Sequence, residues 1–370
     1  MKIKKAEIYQ VEYPLKEPFI ISYATFHTMP AIVVKLHTDT GIVGYGESVP
    51  DEHVTGESVK SVYHALQNQL LPAVTNEDPC NLLHIHQLMD AVLIGNGSAK
   101  AAIDIACYDI LGKASNLPVY SLLGGRKKEN PTIPRVLSIL EPEVLAKQAL
   151  EAKEAGYKEV KMKLGTDYEK DVERVHKVRE AVGGKMLIRV DVNQGWENFQ
   201  QAKRMMKQLE PYDVTWVEQP IRAIDIGFFK QLKENASIPL MADESLVDIQ
   251  DLRILSEHQS VDYINIKLMK SGGIYRSHQL AIQAELAGIE CQIGSMVESS
   301  IASAAGFHVA LARPNIISTE LSGPLKFSKE PGNLTYDLPF VNITEKPGLG
   351  IEIDETVLEN LTIHYKEWKG

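Results

Sequence analysis

The sequence of 370 residues predicts an α/β protein in which a (β/α) barrel is combined with an α+β capping domain. Residues 1–50 have strand-like patterns and residues 55–115 helical ones, and after Gly124-Gly125 short apolar runs alternate with longer helical patterns. Alternation of this kind is typical of a parallel sheet, and eight such units within about 200 residues fit a closed barrel. The alternative, an open doubly wound sheet, is disfavoured because no Gly-rich phosphate loop follows the first strand.

The N-terminal region is predicted to form a small sheet followed by helices. Residues 6–11 and 31–37 alternate apolar and polar side chains. The turn-forming residues 38–41, which lie between two strand-like runs, indicate a hairpin. Ser98 is the predicted N-cap of a helix over residues 99–111.

The barrel region contains eight strand candidates with helical segments such as 142–154 and 171–182 between them. The candidates are residues 132–139, 159–163, 186–191, 214–218, 239–243, 262–267, 290–294 and 317–321. The tail has hairpin-like pieces and is expected to return to the N-terminal domain. We therefore expect a capping domain over residues 1–125, a barrel over 126–324 and a returning segment over 325–370.

The overall composition excludes several classes of function. A formal net charge of -10 argues against general binding to a nucleic-acid backbone. Cys80, Cys107 and Cys291 are scattered, which disfavours a disulfide framework or a zinc site. The N-terminus is charged and strand-like, unlike a signal peptide, and no apolar run is long enough to span a bilayer. We expect a cytoplasmic protein with neither a nucleic-acid nor a membrane partner.

Charged residues stand at equivalent positions on five consecutive strands. Lys163, Asp191, Glu218, Asp243 and Lys267 each fall at the end of a strand candidate, 24 to 28 residues apart. In a (β/α) barrel the active site lies at the carboxyl ends of the strands. We therefore expect these five side chains to share one cleft.

The three acids in this series predict a metal site. Bare carboxylates at such close quarters repel one another, and a divalent cation removes that cost. Ligands of oxygen alone favour Mg²⁺ over softer metals. Asn193 and Glu244 are candidates to orient these ligands. The alternative for each acid is an ordinary salt bridge, but three acids in register favour the metal site.

The two lysines predict proton transfer. The second and sixth strands of an eight-stranded barrel face each other, so Lys163 and Lys267 can lie on opposite sides of a substrate. One lysine would then remove a proton and the other would deliver one to the opposite face. A base must be neutral, and Lys161, on the same face of its strand as Lys163, is expected to lower its neighbour's pKa by its like charge. The alternative is that both lysines only neutralise the acids.

These strand ends resemble the enolase superfamily, and within it the muconate lactonizing enzyme subgroup, over nearly the whole chain. The motifs are Pro118-Val119-Tyr120 with Gly124-Gly125, Lys161-Met162-Lys163, Asp191-Val192-Asn193-Gln194-Gly195-Trp196, Val217-Glu218-Gln219-Pro220, Met241-Ala242-Asp243-Glu244-Ser245 and residues 265–273. The resemblance implies an enolase-type barrel capped by both termini, with Mg²⁺ on the three acids. It also implies two acid/base lysines, Lys161 near the substrate carboxylate, and proton removal next to that carboxylate with an enediolate stabilised by the metal.

The residues after strands seven and eight bear on the substrate. Similar dipeptide epimerases carry Asp-x-Asp after strand eight to hold a free ammonium, whereas this chain has Glu320-Leu321-Ser322. The missing second acid favours an N-acylated amine. The chain also resembles N-succinylamino acid racemases that act on basic amino acids, including Ser295 and Met296 after strand seven.

A basic substrate side chain would need acids in the cap. Asp51 and Glu52 are candidates, with Phe19 and Tyr23 as walls, and the alternative for the two acids is a solvated loop. Ser138, at the end of the first strand, is a further candidate to bind substrate.

The resemblance leaves several functions open. We expect a homo-oligomeric isomerase that acts on a small-molecule carboxylate. The expected reaction is racemisation of an N-acyl amino acid, in particular an N-succinyl derivative of arginine or lysine. The main alternative is a dipeptide epimerase, followed by a lyase of the muconate cycloisomerase or o-succinylbenzoate synthase kind. A metal-stabilised binding protein is the non-enzyme alternative, which two opposed lysines disfavour.

Overall fold

The computed structural model describes residues 1–127 and 130–369. Its centre is an eight-stranded parallel sheet whose strands follow one another in chain order, as the barrel prediction requires. The observed strand bounds agree closely with the predicted ones except at the first barrel strand. That strand was predicted over residues 132–139 but covers only Arg135–Leu137, and Pro134 cannot extend it toward the N-terminus because it has no N–H to donate. The strands are β1 (Ile3–Ile20), β2 (Thr25–Thr38), β3 (Val43–Ser48), β4 (Arg135–Leu137), β5 (Glu159–Lys163), β6 (Leu187–Asp191), β7 (Val214–Glu218), β8 (Leu240–Ala242), β9 (Tyr263–Ile266), β10 (Glu290–Ile293), β11 (Ile316–Thr319), β12 (Thr335–Asp337), β13 (Phe340–Asn342) and β14 (Thr362–Lys369).

Side-chain contacts join the two ends of the central sheet, near its outer strands β4 and β11. No hydrogen-bonded ladder joins these strands within the described ranges. Thr319 Oγ1 nevertheless donates to the carbonyl oxygen of Thr132 at 2.8 Å. Lys161 Nζ, on β5, lies 2.5 Å from Glu320 Oε1, just after β11. The sheet is therefore curled into a barrel whose interior is filled by side chains.

The cap contains an antiparallel sheet in the order β14-β1-β2-β3. The predicted hairpin at residues 38–41 is confirmed, since it joins β2 to β3 and Thr38 N donates to the Ile42 carbonyl oxygen at 3.1 Å. The C-terminal strand β14 pairs with β1, so that Tyr365 lies opposite Tyr9. Both ends of the chain thus contribute to one sheet.

Helices cover the outside of the barrel and one face of the cap sheet. They are α1 (Val59–Ala65), α2 (Leu71–Val74), α3 (Leu82–Val92), α4 (Gly97–Ser115), α5 (Val119–Leu122), α6 (Pro142–Glu154), α7 (Tyr168–Val182), α8 (Phe199–Leu209), α9 (Gly227–Asn235), α10 (Ile249–Glu257), α11 (Leu268–Ser271), α12 (Ile274–Leu286), α13 (Ser300–Ala312), α14 (Gly323–Lys326) and α15 (Glu355–Leu361), with a π-helical turn at Leu66–Leu70 and 3-10 turns at Glu210–Tyr212 and Ala223–Asp225. Across the described ranges none of them combines the length and the apolar character that a bilayer crossing requires.

The predicted capping role of Ser98 is wrong. Helix α4 begins at Gly97, and its N-cap residue is Asn96, which has a left-handed backbone with φ of 54°. Ser98 is already inside the helix, where its Oγ lies 2.7 Å from Ser48 Oγ. Its backbone N–H donates to Glu57 Oε2 at 2.8 Å, so the carboxylate of Glu57 satisfies a free donor of the first turn. A distant acid has replaced the local cap.

Two glycines in β3 allow the cap sheet to approach α4 closely. A Cβ atom added to Gly46 would lie 1.8 Å from the carbonyl oxygen of Ala102, and one added to Gly44 would lie 2.2 Å from that of Ala106. This contact fixes the position of β3, which leads into the loop that carries Asp51.

We predict that Gly46→Ala destabilises the protein by about 2–4 kcal/mol, because backbone and helix must separate to admit the methyl group. Thermal unfolding followed by circular dichroism measures the effect. Gly184→Ala is the matched control, since a Cβ atom there meets nothing within 4 Å. Equal unfolding temperatures for the two variants would contradict the close approach of β3 and α4.

Candidate functional site

A cavity lies where the cap meets the carboxyl ends of the barrel strands. Side chains of the cap come from the end of β1, from the turn before β2 and from the loop after β3. The barrel contributes side chains from the ends of β5 and β9 and from the loops after β10 and β11. The cavity is lined, among others, by Phe19, Tyr23, Asp51, Lys161, Lys163 and Lys267.

Asp191, Glu218 and Asp243 come together beneath three lysines that line this cavity, Lys161, Lys163 and Lys267. Asp191 ends β6 and pairs in register with Glu218 at the end of β7, and Asp243 directly follows β8. All three side chains are buried, and one oxygen from each carboxylate lies within 4.8 Å of the other two. The structure therefore brings together the three acids that the strand spacing predicts as neighbours.

Lysine side chains surround these carboxylates. Lys161 Nζ lies 2.8 Å from Asp191 Oδ2 and 2.8 Å from Glu218 Oε2. Lys163 Nζ donates to Asp191 Oδ2 at 2.7 Å. On the other side of the barrel, Lys267 Nζ lies 2.6 Å from Asp243 Oδ2. The two predicted acid/base lysines thus reach the carboxylates from β5 and from the end of β9, two strands that lie four places apart.

Ionising all three carboxylates in this buried position costs more free energy than ionising them in water. Burial raises the pKa of Glu218 well above its usual range, and the charge of Asp191 adds to the effect. For Asp191 and Asp243 burial acts in the same direction, but the adjacent lysine charges outweigh it and hold the pKa of both below the usual range. Such a cluster brings several carboxylate oxygens close together, and these are the ligands that a hard divalent cation prefers. The residues present therefore fit a metal site.

Burial and neighbouring charges also act on Lys267. Burial lowers its pKa, but the charges of Asp243 and the neighbouring acids outweigh this effect, so that the pKa of Lys267 is raised. Neutralising the carboxylates would remove the interaction that keeps this ammonium charged.

Asn193 and Glu244 support the cluster from the side. Asn193 Oδ1 accepts a hydrogen bond from Lys163 Nζ at 2.9 Å, and Asn193 Nδ2 donates to Glu244 Oε1 at 3.2 Å. The Asn193 carbonyl oxygen also accepts from Ser22 Oγ of the cap at 3.3 Å. Burial and the nearby charges of Asp243 and Asp191 raise the pKa of Glu244 to about 7.

Lys270 is a member of this cluster that the strand-end pattern missed. Its Nζ lies 2.6 Å from Asp243 Oδ1 and donates to the carbonyl oxygen of Asn265 at 3.0 Å. The residue comes three positions after Lys267, in the short helix α11, and points back at the strand ends. The only feature of the sequence that could have indicated Lys270 is its position within the motif of residues 265–273.

The predicted cap residues take different places. Phe19 and Tyr23 line the cavity, and Tyr23 Oη donates to Asp51 Oδ2 at 3.1 Å. Glu52 is exposed and does not contribute to the described lining of this cavity. Ser138 is also outside that lining, because its Oγ accepts a hydrogen bond from Ile20 N at 3.3 Å and so joins the barrel to the cap.

The residues after the last two barrel strands also line the cavity. Ser295 Oγ donates to Glu298 Oε2 at 2.7 Å, and Met296 lies beside it. Glu320 lines the cavity and forms the ion pair with Lys161 described above. Lys326 lies in the same lining, and no sequence pattern indicated it because it is a single lysine beyond the last strand.

Family models match both parts of the chain. Residues 3–124 match the model described as "Mandelate racemase / muconate lactonizing enzyme, N-terminal domain". Residues 144–357 match the model described as "Enolase C-terminal domain-like".

Individual proteins resemble the chain over almost its full length. The N-succinyl-L-Arg/Lys racemase of Bacillus cereus is 50% identical over 363 residues, which is 98% of each chain. Its crystal structure superimposes with a TM-score of 0.99, at 49% identity and with 100% of both chains covered. The hydrophobic dipeptide epimerase of Enterococcus faecalis is 37% identical over 95% of this chain and 99% of its own. A dipeptide epimerase from Cytophaga hutchinsonii, solved with Mg and D-Ala-L-Val, has a TM-score of 0.95 at 32% identity, with 99% of this chain and 100% of that chain covered.

We predict that Asp191→Asn, Glu218→Gln and Asp243→Asn each weaken Mg²⁺ binding at least about tenfold, since each removes one charged oxygen donor. Isothermal titration calorimetry with MgCl₂ measures the affinity. Glu180→Gln on the exposed face of α7, where the side chain is 66% accessible, is the control and should bind as the unmodified protein does. Unchanged affinity in all three site variants would show that the cluster is not a metal site.

Proposed function

Because the chain belongs to the mandelate racemase / muconate lactonizing enzyme family, we propose that it is a racemase of N-acyl amino acids, with N-succinylarginine and N-succinyllysine as substrates. The observation that supports this proposal most is the pair of opposed lysines in one cavity. Lys163 contacts Asp191 and Lys267 contacts Asp243, from strands on opposite sides of the barrel. The relative from Bacillus cereus, at 50% identity, supports the choice of substrate.

The proposed reaction moves one proton at the α-carbon. One lysine, as a neutral amine, takes the α-proton as the C–H bond breaks, and the electron pair is delocalised onto the adjacent carboxylate. The opposite lysine, as an ammonium, gives a proton to the other face of the same carbon. The lysine that acts as base depends on which enantiomer is bound, so one active site serves both directions.

Asp191, Glu218 and Asp243 would hold Mg²⁺ in this enzyme. When bound there, the cation supplies electrostatic stabilisation of the negative charge that develops on the substrate carboxylate. Lys161, which is buried and contacts both Asp191 and Glu320, would add a fixed positive charge beside that carboxylate.

An acylated amine suits the cavity better than a free one. Glu320 is already paired with Lys161, and the residue two positions later is Ser322 instead of an acid. A free ammonium would therefore find no spare carboxylate in this segment. This favours an N-acyl amino acid over a dipeptide, although dipeptide epimerisation is the second candidate because two dipeptide epimerases are 32 to 37% identical to the chain.

Three further expectations stay predictions. They are the domain division at residues 125 and 324, the cytoplasmic location and the homo-oligomeric state.

We predict that Lys163→Ala and Lys267→Ala each abolish exchange of the α-proton for one enantiomer of N-succinylarginine and spare it for the other. Each loss should be about 10²- to 10⁴-fold, as expected for a general base. Proton NMR in D₂O, with each enantiomer supplied separately, follows the exchange. Lys158→Ala, at the exposed start of the same strand region as Lys163, is the control.

The outcome also separates reaction classes. If one lysine were required for both enantiomers and the other for neither, a lyase mechanism with a single base would be favoured and the racemase would be excluded.

We predict that Asp51→Asn lowers kcat/KM for N-succinyl-L-arginine about 10- to 100-fold, because a charge that faces the guanidinium is lost. The loss for N-succinyl-L-citrulline, a neutral analogue of the same shape, should be less than about threefold. Asn can still accept the hydrogen bond from Tyr23 Oη, so the loop should keep its position. Glu52→Gln is the control at the exposed neighbouring position. Equal losses on the two substrates would remove Asp51 from the recognition of charge.

A further inference from the structure

Lys326 brings a fourth lysine into the active-site cavity. It is the last residue of α14, the short helix that follows β11, and it lines the same cavity as Lys161, Lys163 and Lys267. Its Nζ lies 4.5 Å from the centroid of the Phe19 ring, which belongs to the cap. The ammonium is therefore held at the junction between barrel and cap.

The four lysines differ in their partners. Lys161, Lys163 and Lys267 each contact at least one carboxylate at 2.8 Å or less. Lys326 forms no ion pair with an acid anywhere in residues 1–127 and 130–369. A side chain that lines a binding cavity and carries an uncompensated charge is a candidate to meet a charge on the ligand.

The surroundings of Lys326 are short of negative charge. Burial and the positive charges of Arg135 and Lys163 lower the pKa of Lys326 to about 7, and only Glu17 acts in the opposite direction. A carboxylate that binds next to this ammonium would relieve the desolvation and the repulsion together.

The cavity also carries an unpaired charge of the opposite sign. Asp51 accepts from Tyr23 Oη and from His53 N, and within the described ranges it makes no ion pair with Lys326 or any other cation. Apolar side chains, including Val136 and Met296, complete the lining. Such a cavity suits a ligand with one cationic arm, one anionic arm and methylene groups in both.

We propose that Lys326 binds the distal carboxylate of the substrate's N-succinyl group. This inference rests on the proposed racemase function and deepens it. Asp51 would select the basic side chain and Lys326 the acidic acyl arm, which together define both variable parts of the substrate.

The test measures binding, which does not depend on turnover. Racemic N-succinylarginine and racemic N-acetylarginine are titrated calorimetrically into the full-length protein with Mg²⁺ present, since a racemic ligand does not change composition during the experiment. The unmodified protein should bind the succinyl compound at least about tenfold more tightly, as expected for a partly buried charge pair. Lys326→Met should remove this preference, with less than about threefold change for the acetyl compound, and Lys326→Arg should retain most of it.

Lys329→Met, at an exposed position three residues later, is the matched control and should preserve the preference. Equal weakening of both ligands by Lys326→Met would make the lysine structural, and no weakening of either would place the acyl carboxylate elsewhere. Either result, or equal affinities for the two ligands in the unmodified protein, overturns the proposal. If the preference follows Lys326 but N-succinylarginine shows no α-proton exchange, the racemase function fails while the subsite stands.

Discussion

The mutual neutralisation of buried carboxylates and lysines governs this structure. Asp191, Glu218 and Asp243 are all withdrawn from water at one end of the barrel, where an unpaired charge would cost several kcal/mol. Lys161 and Lys267 offset that cost through direct contacts with the carboxylates. A divalent cation bound to the same oxygens would offset it further. The barrel makes this possible because neighbouring parallel strands present equivalent residues to the same rim.

The same constraint explains why so much of the site could be predicted from the sequence. Spacings of 24 to 28 residues between Lys163, Asp191, Glu218, Asp243 and Lys267 correspond to one strand and one helix each. Strand bounds agreed with the prediction because buried parallel strands are short apolar runs that end abruptly at a charge. The alternation of strand-like and helical patterns in the sequence therefore predicted both the fold and the positions of the five ionic groups.

Other features depend on contacts between distant parts of the chain, which no local pattern encodes. Serine is a residue type that often caps helices, which is why Ser98 was predicted as the N-cap. In the structure the free N–H group of the first turn is instead satisfied by the carboxylate of Glu57, 41 residues earlier in the chain. Ser138 ends the region of a barrel strand, yet its hydroxyl is engaged by the cap backbone at Ile20. The place of Lys326 in the cavity could not be predicted from the sequence either, because it depends on the contact with Phe19 of the cap. In the proposed function, the residues that select the substrate therefore belong to the cap and the last loop, whereas those that transfer the proton lie at the strand ends.

The most direct measurement is a crystal structure of the protein with Mg²⁺ and N-succinylarginine bound. We expect Nζ of Lys163 and Nζ of Lys267 to lie about 3–3.5 Å from the α-carbon on opposite faces, which is the distance required for proton transfer. We also expect the ion to contact Asp191, Glu218 and Asp243. Two lysines on the same face of the α-carbon, or either one turned away from it, would exclude proton transfer by two opposed bases.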